Sequence, residues 1–155
     1  MSVLPARARG AVHSAFRVVV GFLFACHGAA SLFGILGGAH GRNGGAVPFG
    51  VWPSWWAAVI QLIGGILVAV GLGTRIAAFI CAGSIAYAYF VVHQSDGALP
   101  IENGGELAAL YSWLFLLIVA MGPGSIAVDR FWRRRHSSPA EPVSARSSSL
   151  AILGR

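Results

Sequence analysis

Lysine is absent from this sequence of 155 residues, and only five residues are acidic. Charged residues make up 10% and apolar residues 56%, with a mean hydropathy of +0.72. That is too little charge to cover the surface of a water-soluble domain. The charges are also clustered: between Val18 and Gly41 there is no Arg, Asp or Glu, and between Val47 and Asp96 the only one is Arg75. There are two cysteines, Cys26 and Cys81, far apart and each inside an apolar run. No C-x-x-C or Cys/His cluster accompanies them, which excludes a zinc site and a thioredoxin-like pair. Both are expected to be small buried residues. No Ser-His-Asp order or paired-carboxylate site occurs, so catalytic residues stay unassigned. The Gly-rich stretch 37–45 lacks the Lys-Ser/Thr that completes a phosphate cradle and follows an apolar segment instead of a strand.

What remains points to lipid as the solvent. Four apolar segments, about 18–36, 55–73, 76–92 and 104–121, hold 17 to 19 residues each. At 1.5 Å per residue each is long enough for a hydrocarbon core about 30 Å thick. Backbone groups in lipid must be satisfied within the segment, so each is expected to be a helix. The connections agree. Gly, Pro48 and Pro53 separate the first two, with Trp52, Trp55 and Trp56 at the expected interface. Gly73-Thr74-Arg75 makes a tight turn, residues 94–103 join the third to the fourth, and Gly122-Pro123-Gly124 ends the fourth. The expected fold is an all-α integral membrane protein, a four-transmembrane-helix bundle over 18–122. Residues 1–17 form a basic N-terminal arm. Residues 123–135 form a basic juxtamembrane segment, with a short interfacial helix from about Ser125 to Arg135. The Ser/Pro/Ala-rich tail, 136–155, is expected to be disordered.

The net charge of +6 comes entirely from arginines that flank apolar segments. They do not form a face for nucleic acid, and no nucleic-acid partner is expected. With the N-terminus inside, Arg7, Arg9, Arg17, Arg75, Arg130, Arg133, Arg134, Arg135, Arg146 and Arg155 are cytoplasmic and Arg42 alone is outside, ten against one. This positive-inside bias places both termini in the cytoplasm of a cell whose plasma (inner) membrane holds the protein. The arginines before Val18 and the Leu23-Phe24-Ala25-Cys26 run loosely resemble a cleavable leader. Phe24 fits poorly before such a cysteine and the apolar run continues past it, so the first helix is expected to be retained.

Polar residues inside apolar segments mark packing contacts or function. His27, Ser31 and Gly34 share a helix face, as do Gln61, Gly64, Gly65 and Val68. Ala78, Ala82 and Ala86 form a small-residue stripe that continues toward Tyr89 and His93. Counting residues puts Ser31 and Gln61 both ~8–9 Å below the outer boundary, and His27 at ~14 Å. Ser31 and Gln61 are therefore expected to meet as a helix contact. His93 sits at the outer mouth with Glu102 and Glu106, too far from the depth of His27 for a shared haem. Asn103 and Glu106 have the spacing of a capping box at the start of the fourth helix. His27, Gln61, Tyr89, His93 and Glu106 are the candidate lining of an outer-facing cavity. No metal site is indicated.

The segments HGAASLFG (27–34), QLIGGILVAVGLGTRIAAF (61–79) and HQSDGALPIENGGELAALYSWLFLLIVAMGPGSIAVDRFW (93–132) resemble the DoxX family, over about residues 17–132. The resemblance implies a small four-helix bacterial inner-membrane protein. The family name derives from a subunit of a thiosulfate:quinone oxidoreductase, and some members are linked to redox or oxidative-stress assemblies. The family often carries Lys where Ser31 stands and Glu where Gln61 stands, which implies exchange of an ion pair for a neutral pair. Losing one charge alone would strand the other in lipid. The expected role is an accessory membrane subunit of a quinone-linked oxidoreductase or oxidative-stress complex, not catalytic alone and without a cofactor of its own. Its partners would be lipid and other redox subunits, with self-association a further option. The alternatives are a protein that binds or transports a quinone, lipid or sulfur species, and a purely structural packing subunit.

Overall fold

A computed structural model describes residues 5–39 and 44–136. These residues are helical throughout, with no strand among them: α1 Ala6–Phe33, α2 Ser54–Val70, α3 Thr74–Ala88, α4 Glu106–Met121 and α5 Val128–His136. α3 runs on through a π turn, Tyr89–His93, and a 3₁₀ turn, Gln94–Asp96. Two stretches, Arg7–Phe33 and Thr74–Asp96, are long and apolar enough to cross a membrane. α2 and α4 are apolar and shorter. The tail beyond His136 lies outside the described residues.

Sequence chemistry sets the helix ends. Gly34 and Gly71 take left-handed conformations (φ 67° and 79°) and return their N–H groups to Ala30 O and Leu67 O. Only glycine adopts that cap without a Cβ penalty. Gly71 begins the short turn that sets α3 beside α2 with opposite direction.

α1 packs on α2 through backbone-to-backbone contact. A Cβ on Gly21 would stand 2.6 Å from Ala69 N, and one on Gly65 would stand 2.6 Å from Ala25 N. A Cβ on Gly28 would overlap the backbone of Leu62. Small residues thus substitute for a hydrophobic driving force that lipid does not supply between helices. α3 packs on α4 around Ala78, Ala82, Phe115 and Ile118, which are buried in one core with Val20, Phe24, Val68 and Tyr111. Outward-facing residues such as Phe22, Ile76 and Trp113 are 60%, 71% and 72% exposed. A molecule that is apolar on the outside as well as inside is built for lipid.

α1 differs from the expected division into a basic arm and a first span. It is one helix of 28 residues. Gly10, His13, Ser14, Arg17, Gly21, Phe24, Ala25 and Gly28 repeat at helical spacing and face the bundle from end to end, so the arm belongs to the packed unit.

Candidate functional site

Two polar regions lie at opposite ends of the bundle, and they differ in how their polar groups are satisfied. At the basic end, Arg17 is 1% exposed. Its guanidinium donates to the carbonyl of Val68, to Ala69 O at 2.7 Å and to Ile126 O at 2.7 Å. The first two lie at the C-terminus of α2, where Val68 O also accepts from Gly71 N at 3.2 Å and a cation complements the helix dipole. Asp129 lies close enough to act on Arg17 electrostatically. Its carboxylate accepts from Gly73 N at 2.9 Å, from Thr74 N at 3.2 Å and from the Thr74 hydroxyl at 3.3 Å. It thereby caps α3 from another helix. His13 donates from Nε2 to Gly122 O at 2.7 Å, and Ser14 Oγ accepts from Ile126 N at 3.1 Å. This cluster ties α1, the α2–α3 turn and the segment after α4 together. It was missed in the sequence because Arg17 counted only as a topology signal. Its place on the buried α1 stripe, level with His13 and Ser14, was the available clue.

At the other end is a cavity of about 1060 Å³ between the N-terminal half of α2 and the C-terminal half of α3, backed by α1 and α4. Each helix contributes a polar side chain: His27 and Ser31 from α1, Gln61 from α2, Ser84 from α3 and Tyr111 from α4. Among the described residues, none of these five side chains makes an intramolecular hydrogen bond. His27 meets Tyr111 edge-on at 6.0 Å, and Tyr111 rests against Phe24 at 5.3 Å. Trp52, Trp56, Phe79 and Tyr87 add aromatic walls, and no described lining residue is Arg, Asp or Glu.

Of the residues expected at an outer cavity, His27, Gln61 and His93 line this one. Tyr89 and Glu106 do not. The Tyr89 and His93 rings stay stacked across the π turn, with centroids 6.4 Å apart. Tyr89 turns to Gly105, where its ring carbons would stand 2.7 Å from an added Cβ. Its hydroxyl receives a long hydrogen bond from Asn103 Nδ2 at 3.5 Å. Glu106 is exposed in the first turn of α4, outside the lining. His93 donates from Nδ1 to Asn103 O at 3.1 Å, leaving its Nε2 unused.

Ser31 and Gln61 both open onto the cavity, and no hydrogen bond joins them. The closest passage of α1 and α2 runs through Gly21, Gly28 and Gly65. One further expectation, the capping box, is corrected. α4 starts at Glu106 after Gly105, two residues too late for Asn103 to be its cap. Asn103 Oδ1 accepts from Gly105 N at 2.8 Å and Nδ2 donates to Gly97 O at 2.9 Å, so Asn103 braces the loop through an Asx turn. Ser84 and Tyr111 were not singled out in the sequence. Each is a lone polar tip in an apolar run, and that was the available signal.

Together these features define an all-helical membrane protein with a buried arginine cluster at one end and, at the other, a ligand-sized cavity whose five polar side chains make no hydrogen bond within the chain. A family profile for DoxX matches residues 12–94. The chain belongs to the DoxX family, and it is therefore a membrane protein. It is also similar to an uncharacterised protein of Haemophilus influenzae, 42% identical over 122 residues that cover 76% of this chain and 89% of that protein. No solved structure matches.

Proposed function

We propose that this protein binds a neutral, ring-bearing small molecule of the quinone class in the cavity and serves a membrane redox assembly as an accessory subunit. The single observation that carries the reading is the set of five unpartnered polar side chains, His27, Ser31, Gln61, Ser84 and Tyr111, from four helices around one largely apolar space. Tyr111 is buried, Ser31, Gln61 and Ser84 are half-buried and His27 is exposed, and a bound head group with donors and acceptors would pair them. A planar ring suits the aromatic walls. A sulfur oxyanion suits the site poorly, because no described lining residue offers a fixed positive charge. The same holds for a phospholipid phosphate. A purely structural role would favour a filled bundle.

The proposed setting is the bacterial inner membrane, crossed four times, with both termini in the cytoplasm. The arginine distribution supports it. Electrons would pass between the quinone and a partner's cofactor, and no group of three or more His, Cys, Asp or Glu side chains that could hold a metal occurs among the described residues.

The experiment is a titration of purified protein in nanodiscs with a short-chain benzoquinone, read by quenching of Trp52 and Trp56, which line the cavity. Saturable quenching is expected, unaffected by excess thiosulfate. His27→Ala and Gln61→Leu should each weaken binding about three- to tenfold, the worth of one hydrogen bond. Quenching that never saturates, or that thiosulfate reverses, would sink the reading.

A further inference from the structure

The cavity is incomplete on one side, and that side faces lipid. α2 and α3 leave their connecting turn side by side and touch most closely where Gly64 meets Cys81 Sγ. Every α2 residue that lines the cavity lies between Ser54 and Gln61, beyond this contact. The two helices are the limbs on either side of the cavity. Phe79, Ile80 and Trp56 line the cavity and are nevertheless 65%, 50% and 50% exposed on the molecule's outer surface. The interior is thus continuous with the hydrocarbon around the protein. α1 and α4 line the cavity as well, and Leu36, Gly38, Ala39 and Val47 of the α1–α2 loop line its end.

From this we infer that the α2–α3 cleft is a lateral portal and that the ligand is a long-tailed, membrane-dissolved molecule. Its neutral ring lies against His27, Gln61 and Tyr111, and its apolar tail leaves between the limbs into lipid. The inference rests on the proposed ligand-binding role and adds the route and the tail. A water-soluble metabolite would have to cross hydrocarbon to reach the same groups. A molecule already in the bilayer moves sideways without exposing its tail to water.

Gly83 tests this without disturbing the packing. It lies in the lining of the cleft, and a Cβ there meets nothing within 4 Å. Gly83→Phe would put a ring across the tail's path. The probes are a benzoquinone with a ten-carbon tail and the same ring without one, each titrated by tryptophan quenching in nanodiscs. Gly83→Phe should weaken the tailed probe about tenfold or more, the effect of overpacking, and leave the tailless ring within about threefold of wild type. Gly83→Ala should match wild type with both. Ile80→Trp, at the rim of the same cleft, should reproduce the split and guards against a folding defect peculiar to Gly83→Phe. Equal weakening of both probes, or of neither, overturns the portal while leaving the site intact. Failure of wild type to bind either probe removes the site and the portal together.

Discussion

Replacing Arg17 with Met should cost about 3 kcal/mol or more of stability, the penalty for breaking a buried charged network. Arg17 is the largest fully buried side chain and holds carbonyls from two segments, Val68 and Ala69 in α2 and Ile126 after α4. Without the guanidinium Ala69 O and Ile126 O lose their side-chain donor, Val68 O keeps only Gly71 N, and Asp129 loses a neighbouring positive charge. Arg17→Lys should recover only part of the loss, because a single ammonium cannot reproduce the planar fork that reaches separate acceptors. Thermal unfolding of the detergent-solubilised protein measures this directly. A melting temperature for Arg17→Met within error of wild type would show that the cluster is incidental. The loss should appear as instability and not as weaker quinone binding, since Arg17 stands outside the cavity lining.

The second large effect is all-or-none. Single cysteines at Ala98 and Ser148, in a background with Cys26 and Cys81 replaced by Ala, should react oppositely with an impermeant thiol reagent. Ala98 is exposed in the loop between α3 and α4, on the far side of the bundle from the Arg17 cluster. Ser148 lies in the C-terminal stretch outside the described residues. In intact cells Ala98→Cys should be labelled and Ser148→Cys protected until the membrane is opened. The reverse pattern would invert the proposed orientation.

The helices were legible in the sequence because lipid simplifies the rules. Length, apolarity and glycine punctuation fix where helices run, and the four expected segments overlap α1, α2, α3 and α4. Two boundaries escaped. α1 extends back to Ala6 because His13, Ser14 and Arg17 continue its buried face, which a hydropathy count scores as polar and assigns to water. α4 starts at Glu106 because Asn103 is occupied by Gly97 and Gly105. The cavity was legible only in part. His27, Gln61 and His93 announced themselves as costly polar groups. Tyr89 lies outside the lining because its ring packs against Gly105 and its hydroxyl meets Asn103, loop contacts that helical periodicity does not carry. Depth counting puts Ser31 level with Gln61, and both line the cavity. Tyr111 and Ser84 went unnoticed because aromatic and small side chains are ordinary packing material until a structure shows what they face.

The central claim is that the space between α2 and α3 holds the ring of a neutral molecule. Photolabelling with a short-tailed azidobenzoquinone, followed by peptide mass spectrometry, tests it most directly. Adducts should fall on peptides containing His27, Ser31, Gln61 and Tyr111, and unmodified quinone should suppress them. Adducts confined to outward-facing positions such as Trp113, and insensitive to competing quinone, would contradict the claim.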